Sequence, residues 1–157
     1  SKKIKKDFYI NVQGDEPICN PTDIMKIIKY AKKFPNQIVN GFTQIKDKKS
    51  FYSPNIPKVH FNNDNNLLYM SRAPIPSNKK KSFSKAWRQV CIYSFPYKAL
   101  KSYASVKKKT NIESIEDLES LRFLELGYKV KMLKMSNKSI AIDIKEDLLK
   151  VRKLVKK

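Results

Sequence analysis

An apolar run, Phe8-Tyr9-Ile10, leads into Asn11-Val12-Gln13-Gly14-Asp15-Glu16-Pro17, where one of only three glycines in the chain meets a carboxylate pair closed off by a proline. That junction constrains the fold more than any other stretch. It ends a buried strand on polar groups, and open α/β sheets bind their ligands outside the carboxyl ends of their strands. An amide side chain, a backbone amide freed by glycine and a carboxylate at such a point suit a phosphate and metal site. The next residues continue the pattern. Asn20-Pro21-Thr22-Asp23 reads as an N-cap, a proline at the first helical position and an acid in the first turn. The helix is predicted to stop before Pro35 and to bury Ile24, Ile27, Ile28 and Ala31. Residues 37–45 have strand character, with Gly41 marking a bulge. Strand, helix, strand implies a βαβ unit and a parallel sheet.

Further along, residues 58–61 and 67–70 flank Asn62-Asn63-Asp64-Asn65-Asn66, a hairpin whose Asn and Asp residues tolerate left-handed turn conformations. His60, the single histidine, reads as a strand residue and not as a base. The second strand exits into Ser71-Arg72-Ala73-Pro74-Ile75-Pro76, and residues 77–84 form a basic loop. A strand over 88–95 and a short helix from Pro96 come next. Thr110-Asn111-Ile112-Glu113 is a capping box that opens a helix predicted to end at Gly127. Its core stripe is Ile112, Ile115, Leu118, Leu121 and Leu124, with Glu113, Glu116 and Glu119 on a neighbouring face. Residues 128–133 and 139–142 are the last two predicted strands, and a final helix turns Leu148, Val151 and Val155 inward.

The 157 residues are one domain's worth of chain, 41% hydrophobic, with no run near the roughly 20 apolar residues of a membrane helix. The basic N-terminus has no apolar stretch behind it and does not read as a signal peptide. Cys19 and Cys91 lie far apart and read as reduced, packed thiols, which points to the cytosol. The net charge of +20 comes from lysines scattered through every segment, with only Arg72, Arg88, Arg122 and Arg152 as arginines. Nucleic-acid binding would gather the charge on one face and use more arginine, so a nucleic-acid partner is not expected. Where lysine is the default, an arginine marks a place that needs a planar fork.

Asp15 and Asp143 both stand where a predicted strand gives way to a loop or helix. Two such carboxylates could hold Mg²⁺, a hard cation bound by few protein oxygens plus substrate phosphates. Asp143-x-x-Glu146 is equally a capping box, which needs no metal. Zinc chemistry and a Ser-His-Asp triad lack their residues, and three glycines make no Gly-rich phosphate loop.

Several stretches together, in order, resemble one family. They are residues 11–17, Tyr69-Met70-Ser71-Arg72-Ala73-Pro74-Ile75-Pro76, Val90-Cys91-Ile92-Tyr93, residues 115–122 and Ile142-Asp143 before Glu146-Asp147-Leu148. The pattern is similar to the 3-deoxy-manno-octulosonate cytidylyltransferases (CMP-Kdo synthetases). The resemblance implies a three-layer nucleotide-diphospho-sugar transferase fold, Rossmann-like, with a mixed and mostly parallel sheet incomplete on its N-terminal side. It implies a reaction of CTP with a 3-deoxy-2-keto sugar acid, giving a CMP-sugar for surface polysaccharide and pyrophosphate. Asp15 and Asp143 would be the Mg²⁺ ligands, Gln13, Arg72, Tyr93 and Glu119 would line the sugar-acid pocket, and the protein would be a homodimer. Three departures accompany it. Ser120 stands where the family commonly has Gln, and Gln89 where His is common, leaving room for a related acid such as an amino-substituted octulosonate or a sialic-type sugar. The family's N-terminal CTP-gripping segment has no counterpart in these residues, so the chain by itself is expected to turn over CTP poorly. A basic polyanion-binding module and a dimerising fragment are the competing readings.

Overall fold

Strand β5 (Ala86–Pro96) is the axis of the fold in a computed structural model that describes residues 4–142 and 144–155. Along one edge it pairs antiparallel with β2 (Ile38–Ile45) over nearly its whole length. Its other edge is shared: β3 (Lys58–Phe61) pairs with Trp87 and Arg88, and β1 (Phe8–Val12) with residues 92–96. β4 (Leu67–Ser71) lies beyond β3 and β6 (Val130–Lys134) beyond β2, which completes a six-stranded sheet among the described residues.

The sheet is mixed, and its directions qualify the sequence reading. β1, β2, β3 and β6 run one way and β4 and β5 the other, yet β2–β6 is the one parallel pair. The strand–helix–strand unit at the start does return in the same direction. Its two strands are nevertheless not neighbours, because β5 is inserted between them. β5 can do this because it is long enough to serve three partners, and its Val90 and Ile92, both fully buried, fill the space beneath the helix. Local sequence fixes a strand's direction through its connection but not which later strand slots in beside it.

That helix, α1 (Pro21–Lys33), starts as expected: Asn20 accepts from the Thr22 N–H at 3.1 Å, and Ile27 and Ala31 are fully buried. It covers one face of the sheet through Ile27, Val39, Val90, Ile92 and Met135, with Ile24 packed at the edge. The opposite face carries the larger core of Ile38, Phe42, Val59, Met70, Leu121, Phe123 and Met132 beneath α3 (Tyr97–Ser105) and α5 (Ser120–Glu125). Three layers result, and β2, covered on both faces, is buried nearly throughout, as such a central strand should be. The bulge expected at Gly41 is present as a register shift between Asn40 and Gly41. Glycine is needed there: a Cβ would sit 2.9 Å from Met135 Cγ and 3.2 Å from Val90 Cβ.

The hairpin β3–β4 forms as read, with Asn65 at φ 57° in its turn and His60 exposed on β3. Elsewhere the structure corrects the expectations. The helix from the capping box is two helices, α4 (Asn111–Glu116) and α5, separated by Asp117 at φ 52°. The break rotates the face: Leu118 and Leu121 are buried, whereas Ile115 is 76% exposed. α5 then stops as predicted. Gly127 takes φ 81°, its N–H donates to Leu124 and that of Tyr128 to Phe123, a Schellman ending. Residues 139–142 form no strand, and the Ile142 N–H instead donates to the Asp15 carbonyl at 2.9 Å. In α6 (Lys145–Val155) Val151 is buried but Val155, at the helix's last residue, is 68% exposed. α2 (Lys48–Tyr52) is a short helix after β2, capped by Asp47 and anchored by buried Phe51. No helix of the described residues is long and apolar enough to cross a membrane.

Candidate active site

A cleft of about 540 Å³ opens where β1, β2 and β6 end, at their carboxyl side. Gln13 and Asp15 enter it from the exit of β1, Gln44 and Ile45 from the end of β2, and Asn137 to Ala141 from the segment after β6. Arg88, Gln89, Cys91 and Tyr93 form its floor from β5, and Arg72 and residues 117–120 form the far wall. Three strands that run the same way thus present their carboxyl ends to one cavity, the placement expected of an open α/β sheet.

Five residues predicted from the sequence therefore meet: Gln13, Asp15, Arg72, Tyr93 and Glu119 all line this cleft. Asp143 lies outside the described residues. Asp15 and Glu119 are exposed within the cleft and available to a ligand. Tyr93 is 6% exposed, and its hydroxyl accepts from Gln89 Nε2 at 2.7 Å. Gln89 also donates to Asn40 Oδ1 at 3.3 Å, and Asn40 donates to the Val90 and Ile92 carbonyls across the bulge. The bulge thus has a use: it brings a buried amide chain to the tyrosine. Burial pushes the Tyr93 hydroxyl well above the ordinary range and keeps it protonated, a neutral donor. Cys91 beside it is pushed up to about 12, chiefly by burial and then by Glu16 and Asp15, and is a thiol rather than a nucleophile. Cys19 and Cys91 are unbridged, as the sequence suggested.

Sequence reasoning missed the pair beneath the floor. Glu16 is 2% exposed, and among the described residues neither of its carboxylate oxygens has a partner at hydrogen-bond geometry. Its nearest cation is Arg88 Nη1 at 3.6 Å. Burial pushes its carboxyl up, and the Arg88 charge, with the Ser139 hydroxyl and the Cys91 backbone close by, opposes that only in part. Arg88 in turn donates Nη2 to the Ser139 carbonyl at 2.7 Å and Nη1 to Gln89 at 3.1 Å, tying the segment after β6 to β5. The signal was present: Arg88 is one of four arginines in a lysine-rich chain, and the fork rule singles it out as much as Arg72.

The far wall is held by a second network. Glu116 accepts from Ser71 Oγ at 2.6 Å, Tyr69 at 3.2 Å and the Arg72 N–H at 2.9 Å. Burial acts to raise its pKa, but these donors outweigh it and the carboxyl is held below the ordinary range. The Arg72 guanidinium donates to three carbonyls: Nε to Glu116 at 2.8 Å, Nη1 to Pro54 and Nη2 to Asp117, both at 3.1 Å. Lys58, fully buried, donates to the carbonyls of Arg72 at 2.5 Å and Ser53 at 2.8 Å. Removal from water brings its ammonium down to about 8.

Among the described residues no three His, Cys, Asp or Glu side chains gather as a metal cage. A hard cation held by one or two carboxylates plus substrate oxygens needs none, and the exposed Asp15 carboxylate at the cleft fits that donor chemistry.

Comparison with known proteins agrees with this geometry. A family model described as Cytidylyltransferase matches residues 1–143. The chain is 35% identical over 153 residues to a 3-deoxy-manno-octulosonate cytidylyltransferase of Christiangramia forsetii, covering 95% of this chain and 61% of the relative. It is 32% identical over 144 residues to an 8-amino-3,8-dideoxy-manno-octulosonate cytidylyltransferase of Shewanella halifaxensis, covering 90% and 58%. Among solved structures, a CMP:2-keto-3-deoxy-manno-octonic acid synthetase complexed with CTP superposes with a TM-score of 0.87 at 28% identity, over 99% of this chain and 64% of that one. The chain thus spans about three fifths of the length of the curated relatives it matches.

Proposed function

The chain belongs to the cytidylyltransferase family, and on that premise we propose that it activates a 3-deoxy-2-keto sugar acid with CTP, giving the CMP-sugar and pyrophosphate. The sugar is 3-deoxy-manno-octulosonate or its 8-amino relative, used in the cytoplasm for surface polysaccharide, and the protein works as a homodimer. One observation carries the reading: Gln13, Asp15, Tyr93 and Glu119, far apart in sequence, converge on one cleft at the strand ends.

In that cleft Gln13 and Glu119 are placed to take sugar hydroxyls. Tyr93, whose oxygen already accepts from Gln89, keeps its proton to donate to the ligand. The sugar's anomeric oxygen bonds to the α-phosphorus as the bond to the pyrophosphate oxygen breaks. The protein's part is to hold the two reactants aligned. Asp15 and Asp143 would hold Mg²⁺, which when bound offsets the negative charge at the α-phosphate.

The test is calorimetric titration of the chain with each sugar acid, with and without CTP and Mg²⁺, beside a pyrophosphate-release assay and sedimentation to read the dimer. Saturable sugar binding that Glu119→Gln weakens about tenfold supports the reading, since that change removes a charge-assisted hydrogen bond. Binding of RNA with a steep salt dependence and of neither sugar acid would overturn it in favour of a polyanion-binding module.

A further inference from the structure

The resemblance makes Arg72 the fork that grips the sugar's carboxylate. The geometry points to a different role: we propose that Arg72 is a positioning residue, which fixes the α4–α5 turn and through it places Glu119 and Ser120 in the sugar pocket. The proposal rests on the sugar-acid reading for its ligand but not for its structural half.

Three of the five guanidinium N–H groups are committed to carbonyls, one each on Nε, Nη1 and Nη2. Two of those carbonyls, Glu116 and Asp117, belong to the last turn of α4 and its left-handed cap, where a continuing helix would have supplied the donors. The third, Pro54, belongs to the loop before β3. The same residue's backbone N–H donates to the Glu116 carboxylate, and its carbonyl accepts from buried Lys58. Arg72 therefore clasps three separate segments by its side chain and main chain together. The wall residues begin immediately after the clasped carbonyls: Asp117, Leu118, Glu119 and Ser120 line the cleft one after another.

A planar fork is required for this, because the three carbonyls lie in different directions from one group. A lysine brings the same charge but a single point of donation. Charge alone is therefore the wrong explanation for Arg72, and that separates the two roles experimentally.

The experiment uses Arg72→Lys and the milder Ser71→Ala, which removes the 2.6 Å bond to Glu116 without touching a charge. Amide hydrogen exchange is followed at Leu121 and Arg122, whose N–H groups bond to Leu118 and Glu119 across the turn, with Val39 in the central strand as reference. A positioning role predicts exchange about tenfold faster at Leu121 and Arg122 in Arg72→Lys and about threefold faster in Ser71→Ala, with Val39 unchanged. Affinity is then measured for 3-deoxy-manno-octulosonate and for its neutral methyl ester. Positioning predicts that Arg72→Lys weakens both ligands by the same factor, about tenfold, because the loss lies in Glu119 and Ser120. Loss of the acid alone with the ester spared, or unchanged exchange at Leu121 and Arg122, overturns the proposal. Should neither ligand bind the unmodified chain, the sugar reading fails by itself while the exchange data still decide the role of Arg72.

Discussion

Glu113 and Glu16 are buried alike, at 1% and 2% exposure, and are served in opposite ways. Glu113 receives both nitrogens of the Arg122 fork, at 2.6 and 2.7 Å, and the Thr110 N–H at 3.0 Å. Arg122 in turn lies 3.9 Å over the Tyr103 ring, so both charges are fully partnered. Glu16, at the floor of the cleft, has a cation at 3.6 Å and, among the described residues, no partner at hydrogen-bond geometry on either oxygen. The first pair fastens α4 to α5, and neither of its residues lines the cleft. The second keeps an underserved carboxylate beside Asp15, where a folded chain optimised only for stability would have placed an apolar residue or a closer partner. Equal burial therefore says little about a charge; its partners decide whether it supports the fold or is a cost carried at a site.

Four substitutions test that contrast, beginning with the largest effect. Arg122→Ala leaves Glu113 buried and uncompensated and should cost about 3–5 kcal/mol in urea denaturation. A loss below about 1 kcal/mol would mean the pair is no fastener. Glu113→Gln keeps the shape but loses the charge and should cost about 2 kcal/mol. Burial works against the Glu113 carboxylate, yet Arg122 and Thr110 hold its pKa below 4.5. Its share of stability is therefore complete above 4.5 and fades as pH falls through the lower folded value, and Glu113→Gln should flatten that acid limb.

Lys58 is an intermediate case, a buried cation served only by carbonyls. Its ammonium titrates near 8 in the folded chain against 10.5 for an ordinary lysine. Between those values the unfolded chain holds more protons, so stability should rise with pH across that window. Lys58→Met should abolish the rise, and a wild-type curve flat from pH 8 to 10 would show the group to be better solvated than its burial implies. The smallest effect is expected at Glu16. Glu16→Gln should leave stability within about 1 kcal/mol of wild type, or raise it, because it removes a buried charge whose paired cation stands 3.6 Å away. A cost matching that of Glu113→Gln would erase the distinction between the two carboxylates.

Much of this was legible in the sequence because it is local. The cap at Asn20, the bulge at Gly41, the Asn-rich hairpin turn and the Gly127 ending each depend on the conformational preferences of a few adjacent residues, and each formed as read. The turn holding Gln13 and Asp15 stood out by itself, and the family resemblance named Tyr93 and Glu119. What they share, a single cleft, could not be read from spacing, since it depends on β1, β2 and β6 ending on one side of the sheet.

Tertiary structure decided the rest, wherever a residue's partner is distant. Nothing local says that β5 lies between β1 and β2; only its three-sided pairing and the apolar fill beneath α1 do. The helix over 112–127 had continuous propensity and a sound cap, yet it breaks at Asp117 because the Arg72 fork and the donors around Glu116 offer its carbonyls and carboxylate better partners than another helical turn would. The arginines divide the same way. Their scarcity among lysines marked them as forks, but whether a fork meets a carboxylate, as in Arg122, or three carbonyls, as in Arg72, is settled by what the folded chain brings within 3 Å or so of it.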